Sequence, residues 1–178
     1  MPKKDRKAKL ATLLIVGEGP IDKAFINHMK GLYGGQHTGQ KVKVDSADGG
    51  SPADIIETTI RKYRHAHYDK RFILIDEDVP IRQQDYDSAR KAKIELVVSK
   101  PICLEGMLLD VLEQDIPSTN AGCKASLHPQ LSGSPRQPES YTDKFPKAVL
   151  DVTPKEQIVM LRKFIANAPY LRLKEADK

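Results

Sequence analysis

The 178-residue sequence has no tryptophan, two cysteines and only 6% aromatic residues. Any core is therefore aliphatic. Cys103 and Cys123 form neither a disulfide framework nor finger-like metal spacing, so a reducing cytoplasm is the expected compartment. No apolar run approaches the roughly 18–20 residues of a membrane-spanning helix. A basic start runs into Leu10 to Val16, but the run ends in Gly17-Glu18-Gly19-Pro20 rather than a small-residue cleavage site. It reads as a flexible basic arm over residues 1–10 leading into a core strand, not as a secretory signal. There is no G-x-G-x-x-G and no Gly-Lys-Ser/Thr, which argues against dinucleotide and P-loop sites. No internal repeat is visible.

What remains is a polar globular composition: 39% hydrophobic, 30% charged, net charge +5. That suits one domain with a real core. The mild basic excess permits binding to a polyanion without requiring it.

The stretch Phe72-Ile73-Leu74-Ile75-Asp76-Glu77-Asp78 runs four apolar residues into three carboxylates. Such a run reads as a strand buried on both faces. Asp76 and Asp78 are two apart, so in extended chain they share a side. Crowded carboxylates are stabilised by a hard divalent cation; the alternative is a solvated acidic loop. Ala11 to Val16 is a second buried strand. Pro20 then opens a helix with an apolar stripe at Ile21, Ala24, Phe25, His28, Met29 and Leu32, on which His28 reads as packing. Val42 to Val44 is a short strand with exposed Lys41 and Lys43. Ser51-Pro52 opens a second helix, with Asp54 in its first turn. Its cationic end, Arg61 to His67, suits either the helix dipole or a phosphate-contacting surface.

Ile81 to Ala92 reads as a short polar helix and Ile94 to Val98 as a fourth strand. Ser99-Lys100-Pro101 opens a helix striped by Leu104, Met107, Leu108, Val111 and Leu112. The proline-rich segment 117–140 reads as a loop or disordered insertion. Cys123 and His128 within it supply only two possible metal ligands. Thr153-Pro154-Lys155-Glu156 resembles a capping box opening a closing helix within 141–178. Residues Lys174 to Lys178 read as a frayed end.

Alternating strands and helices predict an α/β fold: a mostly parallel sheet with helices on both faces, a Rossmann-like three-layer sandwich. Sites in such sheets lie beyond the carboxyl ends of the strands. A flavodoxin-like order would make the first and third strands neighbours and place Glu18 beside Asp76 and Asp78.

The pattern Leu13-Leu14-Ile15-Val16-Gly17-Glu18-Gly19, then Asp22, then strand-Asp76-Glu77-Asp78, resembles a Toprim domain; the resemblance covers roughly residues 11–150, with the α/β core over 11–116. Ile94-Glu95-Leu96-Val97-Val98-Ser99-Lys100-Pro101-Ile102-Cys103-Leu104-Glu105 is similar to the RloB-like branch, related to OLD-family nucleases. Lys100 and Leu104 stand where that branch has Asn and Phe, and its later Trp and His are missing. The resemblance implies divalent-metal-dependent phosphodiester chemistry on DNA or RNA with Mg²⁺ or Mn²⁺. By motif, Glu18 is the metal-binding or acid/base glutamate, Asp22 the second acid, Asp76 and Asp78 the Asp-x-Asp ligands, and Glu105 a second-metal position. Lys144 is the expected phosphate-contacting catalytic lysine. Lys3, Lys4, Arg6, Lys7, Ser99 and Lys100 are expected nucleic-acid contacts. An ATPase partner in bacterial defence or restriction is also implied. The competing expectations are a non-catalytic nucleic-acid- or protein-binding subunit, and a phosphatase using Asp76 in an Asp-x-Asp-x-Val motif like that of haloacid dehalogenases.

Overall fold

Each buried apolar run becomes a strand because its alternate residues find helices on opposite sides. In the computed structural model, which describes residues 10–169, the strands are β1 (Ala11–Gly17), β2 (Gln40–Ser46), β3 (Lys70–Asp76) and β4 (Glu95–Ser99). They pair in parallel in the order β2-β1-β3-β4. The helices are α1 (Pro20–Tyr33), α2 (Pro52–Tyr63), α3 (Gln83–Lys91), α4 (Leu104–Val111), α5 (Asn120–Leu127), α6 (Lys147–Val152) and α7 (Glu156–Ile165).

Leu13, Ile15, Phe72, Leu74 and Val97 face one way and pack with residues of α1, α4, α5 and α7. Leu14, Val16, Ile73, Ile75 and Leu96 face the other way, against Ile55, Ile56 and Tyr63 of α2 and Ala89 of α3. The result is the expected three-layer sandwich. β1 and β3 are neighbours, with Val16 opposite Ile73 and Gly17 opposite Leu74. The carboxyl ends of these two strands therefore lie side by side. α2 begins as its sequence predicts: Ser51 Oγ accepts from the Asp54 N–H and the Asp54 carboxylate accepts from the Ser51 N–H.

Segment 117–140 is a correction. It is folded, and it contains α5, capped by Thr119 Oγ1 accepting from the Gly122 N–H at 3.0 Å. Cys123 and Leu127 are fully buried in the main core. The proline and glycine that suggested a loop instead fit tightly, since a Cβ on Gly122 would lie 2.7 Å from Pro117 Cβ. His28, as expected, is buried, and its Nε2–H donates to the Phe145 carbonyl at 2.7 Å.

Two helix starts also differ. α4 begins at Leu104, not beside Pro101, because carboxylates distant in sequence anchor the loop before it: Glu77 accepts from the Ile102 N–H and Asp76 from the Leu104 N–H. α7 begins at Glu156, so Pro154 is not its first residue, and Thr153 instead ends α6. Residues 1–9, with Lys3, Lys4, Arg6 and Lys7, lie outside the described residues, as does the end over 174–178.

Candidate functional site

A cleft of about 230 Å³ opens at the carboxyl ends of β1 and β3. Glu18, Asp22, Asp76 and Glu105 line it, with Lys124 and Arg136 as its cations. Glu18 follows β1 directly, and its Oε2 accepts from the Asp76 N–H at 3.1 Å. Residues 58 apart in sequence are thus joined across the β1–β3 seam.

Asp22 comes close because Gly17 has no side chain. A Cβ there would sit 2.5 Å from Asp22 Cβ and 3.0 Å from the Lys23 nitrogen. α1 can therefore fold back tightly on the end of β1. Asp22 Oδ2 accepts from the Gly19 N–H at 2.9 Å. Its Oδ1 is buried and has no hydrogen-bond partner among the described residues. Asp76 Oδ1 accepts from the Leu104 N–H at 2.9 Å, at the start of α4. Glu105 is 2% exposed, and its Oε1 lies 2.8 Å from His128 Nε2.

The crowding has an electrostatic signature. Burial, then the charges of Glu18 and Glu105, push the Asp22 carboxyl up to about 7. Burial, then the charges of Asp22, Glu18 and Glu105, push Asp76 up to about 8. Glu18 is raised too, by burial and the charge of Asp78. At neutral pH the cleft holds carboxyl groups that retain protons an exposed carboxylate would have lost.

Glu18, Asp22, Asp76 and Glu105 are thus brought together as expected. Asp78 is not brought into the cleft. β3 ends at Asp76, so the same-side argument does not reach it; Asp78 is exposed and its Oδ2 accepts from Asn120 Nδ2 at 2.8 Å. Ser99 is fully buried, which corrects its expected role as a nucleic-acid contact. Lys100 is exposed, with Nζ 3.8 Å from Glu77 Oε1. Lys144 is exposed and does not line the cleft.

Lys124 and Arg136 occupy the cationic place instead. Sequence reasoning missed both because it read their segment as a loop. The available signal was Asn120 and Lys124 at helical i, i+4 spacing behind a threonine cap.

The residues fit a hard cation by chemistry, since they offer oxygen donors, one of them buried and unpartnered. As the side chains stand, no three Asp, Glu, His or Cys groups among the described residues converge on a point at ligand spacing. An ion would have to draw these side chains closer together than they now stand. Among the described residues no helix is long and apolar enough to cross a membrane. The chain matches no protein-family model, no curated protein and no solved structure.

Proposed function

We propose that the chain is a divalent-metal-dependent phosphodiesterase acting on nucleic acid. The observation that carries the reading is the meeting of Glu18 and Asp76 at the β1–β3 seam, with the buried, unpartnered Asp22 Oδ1 in the same cleft. Retained protons relieve the repulsion in the free protein, and a cation that displaced them would neutralise the carboxylates in their place. Glu18, Asp22 and Asp76 would hold Mg²⁺ or Mn²⁺, with Glu105 as a further ligand oriented by His128. The ion supplies Lewis-acid activation of a phosphodiester and of its attacking water. Lys124 and Arg136 bind the charge of the phosphate; a guanidinium does so through paired N–H donors.

The test is Mn²⁺ titration by calorimetry alongside cleavage of single-stranded and duplex oligonucleotides. Glu18→Gln and Asp76→Asn should each abolish both heat of binding and cleavage. Cleavage that survives either substitution overturns the assignment.

One observation favours a second reading, a non-catalytic binding module. Asp76, Glu77 and Asp78 accept hydrogen bonds from the start of α4, the β4–α4 loop and α5 respectively, so all three carboxylates have a structural use. Oligonucleotide binding with no Mn²⁺ heat would select that reading.

A further inference from the structure

We infer that the exposed lysine row along the edge strand β2 is a track for single-stranded nucleic acid leading to the cleft; the substrate class rests on the phosphodiesterase reading. β2 is an edge strand of the sheet. Its register sets Lys41 opposite Thr12, Lys43 opposite Leu14 and Asp45 opposite Val16, so these three side chains belong to the face on which α2 packs.

The acid in that row is more than neutralised. Lys23 Nζ lies 3.2 Å and Lys62 Nζ 2.6 Å from the Asp45 carboxylate, and the Tyr63 hydroxyl also donates to it. Two ammonium groups thus answer one carboxylate, and their side chains remain 41% and 49% exposed. Lys41 and Lys43 are exposed and have no ion-pair partner among the described residues.

Same-face neighbours on a strand are about 7 Å apart, and the distance from Lys41 to the end of β2 is about 17 Å. Immediately beyond that end, Asp48 and Gly49 line the cleft, with Ser46 Oγ donating to Asp48 at 3.1 Å. The cations of β2, α1 and α2 therefore lead along the edge strand toward the acidic site. A basic track that follows one backbone toward a site is how single strands are held. Such a track binds through phosphate charge and reads no sequence.

The experiment measures binding of a fluorescent 20-nucleotide single strand to the full chain by anisotropy, in EDTA at several salt concentrations. No cleavage is needed, so the result is independent of whether the chain is a nuclease. Lys41→Gln/Lys43→Gln should weaken binding about tenfold and flatten the salt dependence by a log–log slope of about 1.4, two single-strand phosphate contacts. A double variant that removes the same charge elsewhere, Lys30→Gln/Lys91→Gln, should change affinity less than twofold. Circular dichroism melts establish that both variants fold.

Equal weakening by the two double variants overturns the proposal, as does equal affinity of the wild type for poly-L-glutamate. It is also overturned if the β2 variant binds normally but self-associates, because the lysines then only protect an edge strand from pairing.

Discussion

Asp76→Asn should make the metal-free protein more stable at pH 8, although it alters the centre of the cleft. Asp76 and Asp22 keep protons in the folded chain up to about 8 and about 7, whereas the unfolded chain releases them near 3.8. The folded state therefore binds more protons across roughly pH 4–8, and stability falls as pH rises through that window. A single carboxyl so displaced loses about 1.4 kcal/mol per pH unit, or about 4 kcal/mol between pH 5 and pH 8 as a ceiling. Removing the charge of Asp76 ends its repulsion by the charges of Asp22, Glu18 and Glu105. The substituted amide keeps an oxygen for the Leu104 N–H, so the start of α4 retains its anchor. A net gain of about 2–4 kcal/mol in a chain of this size raises Tm by roughly 5–15 °C. Thermal melts by circular dichroism in EDTA, from pH 5 to 8.5, read this directly. The wild type should lose stability toward high pH, and the variant should give a flatter line. Millimolar Mn²⁺ at pH 8 should raise the wild-type Tm and leave that of the variant unchanged. A variant that melts below the wild type at pH 8, with the same pH slope, refutes the electrostatic account of the cleft.

Two further outcomes test how the cleft is built. Leu127→Ala should cost about 2–5 kcal/mol in urea unfolding, because Leu127 is fully buried in the main core; a cost near zero would mean segment 117–140 is not part of the core. Gly17→Ala puts a methyl 2.5 Å from Asp22 Cβ and should destabilise by about 1–3 kcal/mol. If α1 yields, it should also weaken Mn²⁺ binding, by displacing Asp22 from Glu18 and Asp76.

The sheet was legible because its signals are local. The apolar runs of β1 and β3 and the Pro20 and Ser51-Pro52 helix starts act within a few residues of themselves. Parallel strand order then brought Glu18 to Asp76 without any knowledge of side chains. The errors share one physical origin, contacts distant in sequence. The start of α4 is set by carboxylates 25 and 28 residues upstream, at Glu77 and Asp76, which no local cap rule detects. β2 extends beyond Val42 to Val44 because pairing with β1 holds seven residues in register, including the polar Gln40, Lys41 and Asp45. Segment 117–140 has the composition of a loop, yet Cys123 and Leu127 on α5 fill space left by α4. Misreading it hid Lys124 and Arg136, the cations that line the cleft, while Lys144, expected from the family resemblance, lies outside it.

The same long-range contacts bear on why acids occupy these positions. An Asn could accept from the Leu104 N–H as well as Asp76 does, and it would carry no charge for Asp22, Glu18 and Glu105 to repel. As anchors alone, the carboxyls are costly, because burial and the neighbouring acids raise the proton affinity of Asp22 and Asp76. On the proposed reading, Asp22 Oδ2 and Asp76 Oδ1 are each tied to a backbone N–H, which orients the group, while the second oxygen stays available to a cation. The repulsion then serves binding: an ion that enters displaces the retained protons, so Mn²⁺ uptake at pH 7 should release protons in proportion to the carboxyls it engages. Calorimetry in buffers of different ionisation enthalpy measures that release. Heat of binding that is independent of buffer would separate the ion from Asp22 and Asp76, and the cleft would then be an anchor for α4 and α5 rather than a metal centre.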